Sequence, residues 1–210
     1  MTDPPLVQRA LALERELGFE RSCIREVGLL LHVLAAQRGR TRVGELGTGC
    51  GVGAAWIVSA LPPTVPFVTV ELDETRARAA AGLFADDENV TVLQGDWHEL
   101  MPREAPFDLL FLDSGKQHPG VDGADVVGLL VPGATIVMDD LTPKLPDADP
   151  VREFWLNHPQ IAALEILTTP RTAAIVGTVN GRTGKAGTAS WSAPRAEPQR
   201  LTRESNPPIT

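Results

Sequence analysis

The segment 45-ELGTGCG-51 follows a predicted strand over residues 42–46 and precedes a predicted helix over residues 54–61. Glycine at alternate positions allows a sharp turn and lets a ligand approach the backbone at the N-terminus of the helix. Glu45, directly before the glycines, would repel a pyrophosphate and attract a cationic ligand. The segment therefore predicts a strand–turn–helix unit that binds a cationic ligand.

A dinucleotide fingerprint, Gly-x-Gly-x-x-Gly, fits this segment poorly. Its third glycine would fall on Val52 or, in the later frame, on Ala54, where alanine is tolerated. An NAD-dependent oxidoreductase is therefore an alternative that Glu45 and Val52 disfavour.

Helical and strand patterns alternate along the chain, which predicts parallel strands joined by crossover helices. The predicted strands after the first cover residues 67–72, 90–94, 107–112, 134–138, 163–168 and 172–179. The last two are joined by only three residues, 169–171, so they must pair antiparallel. The expected fold is α/β: a doubly wound, mostly parallel sheet with a C-terminal antiparallel hairpin strand, preceded by N-terminal helices over residues 5–18 and 22–38.

Composition divides the chain into three parts: N-terminal helices (1–40), a central α/β domain (41–180) and a flexible tail (181–210) rich in Gly, Pro, Ser, Thr and Arg. The net charge is −8, and the tail carries +3, which leaves −11 for residues 1–180. This balance argues against a nucleic-acid partner. The N-terminal helices are expected either to cover a ligand pocket or to form a homodimer face, and the tail could fold over a partner.

The cysteine count and the hydrophobic pattern indicate a cytoplasmic protein. The two cysteines, Cys23 and Cys50, support neither a disulfide framework nor a zinc site rich in cysteine. No segment resembles a signal peptide or reaches the roughly 20 apolar residues that span a bilayer. Tyr is absent, which excludes any mechanism that needs a phenol.

Acidic residues stand at the ends of the second and third predicted strands. Glu71 can accept both hydroxyls of a ribose. Asp96 can accept from an adenine amino group, and the indole of Trp97 can lie on the adenine ring. Because open α/β sheets bind ligands at the carboxyl ends of their strands, these residues and the glycine segment are expected to form one site.

Residues 40–140 resemble a class I S-adenosylmethionine-dependent methyltransferase, and the resemblance extends over residues 20–180. It implies a Rossmann-like methyltransferase fold with a seven-stranded sheet. It also implies that S-adenosylmethionine is held by Glu45, Gly47, Gly49, Gly51, Glu71, Asp96, Trp97 and Asp113.

Carboxylates also follow the fourth and fifth predicted strands, at Asp113 and at Asp139-Asp140. Three carboxylates at one edge would repel each other unless a cation lay among them, and oxygen ligands suit Mg²⁺ before Ca²⁺. This arrangement resembles the metal-dependent O-methyltransferases of the catechol and caffeoyl-CoA type. The resemblance implies Asp113, Asp139 and Asp140 as metal ligands and Lys116 as the general base, with Asp113 also in the catalytic set. Asp140 departs from the Asn that is usual there.

The resulting hypothesis is an O-methyltransferase, assisted by Mg²⁺, that acts on a small aromatic molecule with neighbouring hydroxyls. One alternative is a metal-independent methyltransferase of small-molecule O or N atoms, with Asp113 or His118 assisting. Another is a protein that binds the cofactor without transferring the methyl group. Phe154 and Trp155 are expected either to line the substrate pocket or to pack in the core.

Overall fold

The computed structural model describes residues 2–114, 125–143 and 149–180. Its strands are β1 (Val43–Leu46), β2 (Phe67–Glu71), β3 (Val90–Gln94), β4 (Phe107–Leu112), β5 (Leu130–Leu141), β6 (Ile161–Thr169) and β7 (Thr172–Val179). Its helices are α1 (Pro5–Leu17), α2 (Arg25–Ala35), α3 (Val52–Val58), α4 (Glu74–Leu83), α5 (Trp97–Glu104) and α6 (Pro150–Leu156). Residues 125–128 are also helical.

The seven strands form one sheet in the order β3-β2-β1-β4-β5-β7-β6. The five strands from β3 to β5 pair parallel, whereas β7 lies antiparallel to both β5 and β6. The predicted fold class, including the antiparallel hairpin strand, is therefore confirmed. The strand order reverses between β1 and β4, which is where such sheets bind ligands.

Each face of the sheet is covered by its own hydrophobic core. Val43, Leu109 and Val137 belong to the core that also contains α1, α2, α3 and part of α4. Leu46 and Leu110 point the other way, into the core that contains α5 and α6. Because successive side chains of a strand point to opposite faces, the buried strands must be apolar along their whole length.

Aspartate side chains start three of the helices. The carboxylates of Asp73, Asp96 and Asp149 accept hydrogen bonds from backbone N–H groups in the first turns of α4, α5 and α6. Such caps satisfy N–H groups that have no partner within the helix. Asp73 and Asp96 thus begin a helix close to the carboxyl end of the preceding strand.

The N-terminal helices pack against the first crossover helix. Gly28 of α2 lies so close to α3 that an added Cβ would stand 2.2 Å from the indole nitrogen of Trp56. In addition, His32 Nδ1 lies 3.0 Å from the carbonyl oxygen of Trp56. The chain leaves α1 through Gly18 in the left-handed conformation and then crosses towards the carboxyl ends of the strands. Within the described ranges, no helix has both the length and the apolar character to cross a membrane.

The structure corrects the predicted elements in two places. Residues 97–104 form α5, which sequence analysis missed because Pro102 interrupts its pattern. The strand β5 begins at Leu130, four residues before the strand expected over residues 134–138, and it runs through Pro132-Gly133, which are residues typical of turns. The pairing with β4 shifts register in this region, so the turn residues lie in an irregularity of the strand rather than outside it.

Candidate functional site

A cavity of about 520 Å³ lies at the carboxyl ends of the parallel strands. Its wall contains Gly47 and Gly49 from the loop after β1, and residues that follow β2, β3, β4 and β5. Phe19 and Arg21, from the segment between α1 and α2, complete the wall. The volume is in the range of pockets that hold small ligands.

The glycine loop turns sharply between β1 and α3. Gly47, Gly49 and Gly51 have φ angles of 91°, 53° and 83°, in the left-handed region that side chains rarely adopt. At Gly47, a Cβ would also stand 3.0 Å from the Cβ of Ser114, at the end of β4. The glycines therefore permit both the turn and the close approach of the ends of β1 and β4. Gly51 is buried at the start of α3 and does not line the cavity.

Glu71 joins the glycine loop to the end of β2. Its Oε2 accepts the N–H of Gly49 at 2.8 Å. Its Oε1 accepts the N–H of Asp73 at 2.9 Å and Nη2 of Arg76 at 2.8 Å. Sequence analysis missed Arg76, which lies in the first turn of the Ala-rich helix α4. Because Oε1 is already occupied by these donors, Oε2 is the atom with room for a ribose hydroxyl.

Asp96 and the aromatic residues after it form the next part of the wall. Asp96 Oδ1 accepts the backbone N–H of His98 and lies 2.9 Å from His98 Nδ1. Partial burial favours a higher pKa for Asp96, but these hydrogen bonds outweigh it and hold the pKa below its usual value. The rings of Trp97 and His98 stack with their centroids 3.6 Å apart. Asp96 and these two rings together offer an ionised acceptor beside an aromatic surface, which are the contacts that an adenine would use.

Glu45 lies beneath the glycine loop rather than in the cavity wall. It is fully buried, and its Oε2 accepts the hydroxyl of Thr69 at 2.7 Å. That hydroxyl lies 2.6 Å from the hydroxyl of Thr48 in the loop. Burial raises the pKa of Glu45 well above its ordinary value, and the nearby carboxylates Asp113 and Asp139 raise it further. Glu45 is therefore placed to support the loop through hydrogen bonds.

Asp113, Asp139 and Asp140 converge at the ends of β4 and β5. Each offers one carboxylate oxygen, and these oxygens lie within 4.8 Å of one another. Asp139 is buried, Asp113 is half-buried and Asp140 is exposed. Asp140 has a φ of 60°, unusual for a residue other than glycine and typical of backbone held in place at functional sites. Burial raises the pKa of the Cys23 thiol, and the charges of Asp139 and Asp113 raise it further.

The remaining predicted site residues fall outside this cluster. Lys116 and His118 lie outside the described residues, as does the tail 181–210. Trp155 is completely buried in the core, and Phe154 packs against it with ring centroids 5.0 Å apart. Of the two roles expected for Trp155, packing in the core is therefore the one that the structure shows.

The chain is similar to known proteins over part of its length. Residues 45–141 match a family model described as a methyltransferase domain. A protein of Mycobacterium tuberculosis (strain ATCC 25618 / H37Rv) that is named as an O-methyltransferase is 30% identical over 118 residues. That match covers 53% of this chain and 53% of the relative, so it spans about half of the relative's length.

Solved structures resemble the chain over most of its length. The O-methyltransferase TomG of Streptomyces achromogenes, which takes part in tomaymycin synthesis and was solved with S-adenosylmethionine, has a TM-score of 0.70 and 26% identity. The alignment covers 86% of this chain and 92% of TomG. A Staphylococcus aureus protein named as a caffeoyl-CoA O-methyltransferase has a TM-score of 0.71 and 14% identity, over 85% and 93% of the two chains.

The strand order and the glycine loop define the fold of the class I S-adenosylmethionine-dependent methyltransferases. Residues 45–141 are similar to a methyltransferase domain. The predicted resemblance to the O-methyltransferases of this class is confirmed.

Proposed function

We propose that this protein is an S-adenosylmethionine-dependent O-methyltransferase that acts on a small aromatic molecule with neighbouring hydroxyls, with Mg²⁺ bound at the carboxylates. The observation that carries the proposal is the shared cavity: Glu71, Asp96 and Trp97 lie at one part of its wall and Asp113 and Asp140 at another. One part offers contacts for a nucleoside, and the other offers oxygen ligands for a cation.

The cofactor is held in this proposal by contacts along the wall. Glu71 Oε2 accepts a ribose hydroxyl, Asp96 accepts from the adenine amino group, and the Trp97–His98 pair lies along the adenine ring. A ligand fixed at these points places its sulfonium towards the acidic part of the cavity, where the carboxylates favour positive charge. When bound, the cofactor supplies an electrophilic methyl group.

The carboxylate cluster fits a hard cation. Ligand oxygens about 2.1 Å from Mg²⁺ lie up to about 4.2 Å apart, and the three carboxylate oxygens lie within 4.8 Å of one another. The spacing of Asp113, Asp139 and Asp140 is therefore close to that of a Mg²⁺ ligand set, and exposed Asp140 has the most freedom to adjust. A cation bound there would orient two acceptor oxygens and lower the pKa of one hydroxyl.

The residues of the chain then position the acceptor and move one proton. Lys116, three positions after Asp113, is the proposed base: as the neutral amine it takes the hydroxyl proton and becomes an ammonium, and the oxygen attacks the methyl group in line with the departing sulfur. Asp113 belongs to the proposed catalytic set because it would hold the cation to which the oxygens of the acceptor bind. The cavity of about 520 Å³ suits an acceptor of small-molecule size.

A methylation assay with and without a chelator tests the proposal. Purified protein is incubated with S-adenosylmethionine and a panel of catechols, matched monophenols and small amines, and methylated products are measured by mass spectrometry. The proposal predicts O-methylated catechols, loss of product with EDTA and recovery with excess Mg²⁺.

The other outcomes separate the alternatives. Product that is unaffected by EDTA supports the metal-independent methyltransferase. Binding of S-adenosylhomocysteine without product across the panel supports a protein that binds the cofactor without catalysis. Either result would refute the magnesium-assisted reaction.

A further inference from the structure

The backbone of the glycine loop has little to offer an anion. The N–H groups of Gly47 and Thr48 both donate to one carbonyl of β2, each at 3.0 Å. The N–H of Gly49 donates to Glu71, and the N–H of Gly51 donates back into the loop at 2.8 Å. Because each backbone N–H has a single hydrogen to donate, these four groups are already used, and a charged side chain is the stronger partner for a carboxylate in this cavity.

The charged groups of the cavity wall are mostly acidic. Two arginines also line the cavity, and they differ in their contacts. Arg76 donates to Glu71 and lies over the ring of Phe19, with its guanidinium carbon 5.1 Å from the ring centroid. Arg21 has no hydrogen bond or ion pair with any residue in the described part of the chain. Its guanidinium is therefore the donor that the wall leaves available.

Arg21 lies midway along the segment that crosses the cavity between α1 and α2. Two residues before it, the ring of Phe19 stands 3.1 Å from where a Cβ of Gly49 would be. Arg21 itself lines the cavity together with Gly49, Asp113 and Asp140, so it shares one wall with the glycine loop and the acidic cluster.

We infer that Arg21 binds the α-carboxylate at the amino-acid end of S-adenosylmethionine. This inference rests on the proposed function, since it assumes that this cofactor occupies the cavity. The acidic wall favours the sulfonium and the ammonium of the cofactor but disfavours its carboxylate. A guanidinium pairs with a carboxylate through two parallel hydrogen bonds, which makes Arg21 a specificity-determining residue for the intact amino-acid end.

Isothermal titration with two ligands tests this role without any turnover. S-adenosylhomocysteine carries the carboxylate, whereas decarboxylated S-adenosylhomocysteine keeps the adenosine, the sulfur and the amino group. We expect Arg21→Gln to weaken the binding of S-adenosylhomocysteine about tenfold and to leave the binding of the decarboxylated ligand unchanged. Arg21→Lys should recover part of the loss, because it restores the charge without the planar pair of donors.

Arg38→Gln is the matched control, because Arg38 is an exposed arginine that does not line the cavity. It changes the net charge equally and should leave both affinities as in the wild type. Equal weakening of both ligands by Arg21→Gln would assign Arg21 a structural role and overturn the inference, as would unchanged affinity for S-adenosylhomocysteine. Wild-type protein that binds neither ligand contradicts the proposed function itself, so the two failures are distinguishable.

Discussion

The backbone N–H of Gly49 donates a 2.8 Å hydrogen bond to Oε2 of Glu71, which lies 22 residues further along the chain. This bond fixes the glycine loop after β1 against the acid after β2. The carboxylate therefore has two functions in the proposed site: it shapes the loop, and it presents one oxygen to the ribose. Both functions depend on Oε2 as an acceptor, while Oε1 of Glu71 accepts from Asp73 and Arg76.

Glu71→Gln should weaken the binding of S-adenosylhomocysteine by roughly ten- to a hundredfold. In one orientation the amide nitrogen faces the N–H of Gly49, and in the other it faces Arg76, so a donor meets a donor either way. Calorimetric titration measures the change. Glu74→Gln is the control, because Glu74 is exposed on α4. Equal affinity in the Glu71→Gln variant and the wild type would exclude a role for this carboxylate in binding.

Asp139→Asn should reduce the affinity for Mn²⁺, a spectroscopic substitute for Mg²⁺, by about tenfold or more. Asp139 is the buried member of the cluster, so its oxygen is held in place and its charge is the least screened by solvent. Electron paramagnetic resonance of free Mn²⁺ gives the affinity of the wild type and the variant. Asp86→Asn, at an exposed position, should have no effect. Wild-type protein that leaves all the Mn²⁺ free would show that the carboxylates do not form a metal site.

Glu45→Gln should change how stability depends on pH. The pKa of Glu45 in the folded protein lies well above its ordinary value of 4.5, because burial penalises the ionised form. Its favourable contribution to folding is therefore complete below pH 4.5 and is lost as the pH rises through the folded-state pKa. The variant has no such loss, so its free energy of unfolding should rise relative to the wild type by up to about 1.4 kcal/mol per pH unit.

Urea unfolding of both proteins at several values between pH 5 and pH 8 provides the measurement. The quantity to compare is the difference between the two free energies of unfolding, plotted against pH. A constant cost of the substitution shifts this difference equally at every pH, so it leaves the slope unchanged. A difference that stays the same over this range would show that Glu45 does not titrate as its burial requires.

Gly28→Ala should destabilise the protein by about 1–3 kcal/mol, because its Cβ would stand 2.2 Å from the Trp56 ring and would separate α2 from α3. The matched control is Gly82→Ala in α4, where nothing lies within 4 Å of the new Cβ. Alanine is favoured over glycine within a helix, so this control should be stabilised by about 0.5–1 kcal/mol. Urea unfolding measures both, and similar midpoints for the two variants would contradict the close packing of α2 on α3.

The strand ends of the site could be predicted from the sequence because one physical rule places them. Parallel strands present their carboxyl ends at the same edge, so residues such as Glu71 and Asp113 had to meet there. The hairpin was predictable for a similar reason, since a joint of three residues permits only antiparallel pairing. These inferences needed the order of the elements and no knowledge of side-chain packing.

Contacts between distant parts of the chain could not be predicted in this way. Arg76 lies in a helix whose pattern carries no signal for the cavity, and its guanidinium lies over the ring of Phe19 from a distant segment of the chain. Arg21 belongs to a segment without regular structure, so its place in the wall depends on how α1 and α2 pack. Glu45 follows the predicted motif, yet its position beneath the loop depends on a hydroxyl of β2, that of Thr69.

Titration of the wild-type protein with S-adenosylhomocysteine, and separately with NAD, is the most direct test that the cavity binds an adenosyl sulfur cofactor. The account predicts one S-adenosylhomocysteine molecule bound per chain and no heat of binding with NAD. If S-adenosylhomocysteine produces no heat, or NAD binds more tightly, the cavity does not hold that cofactor and the proposed reaction is wrong.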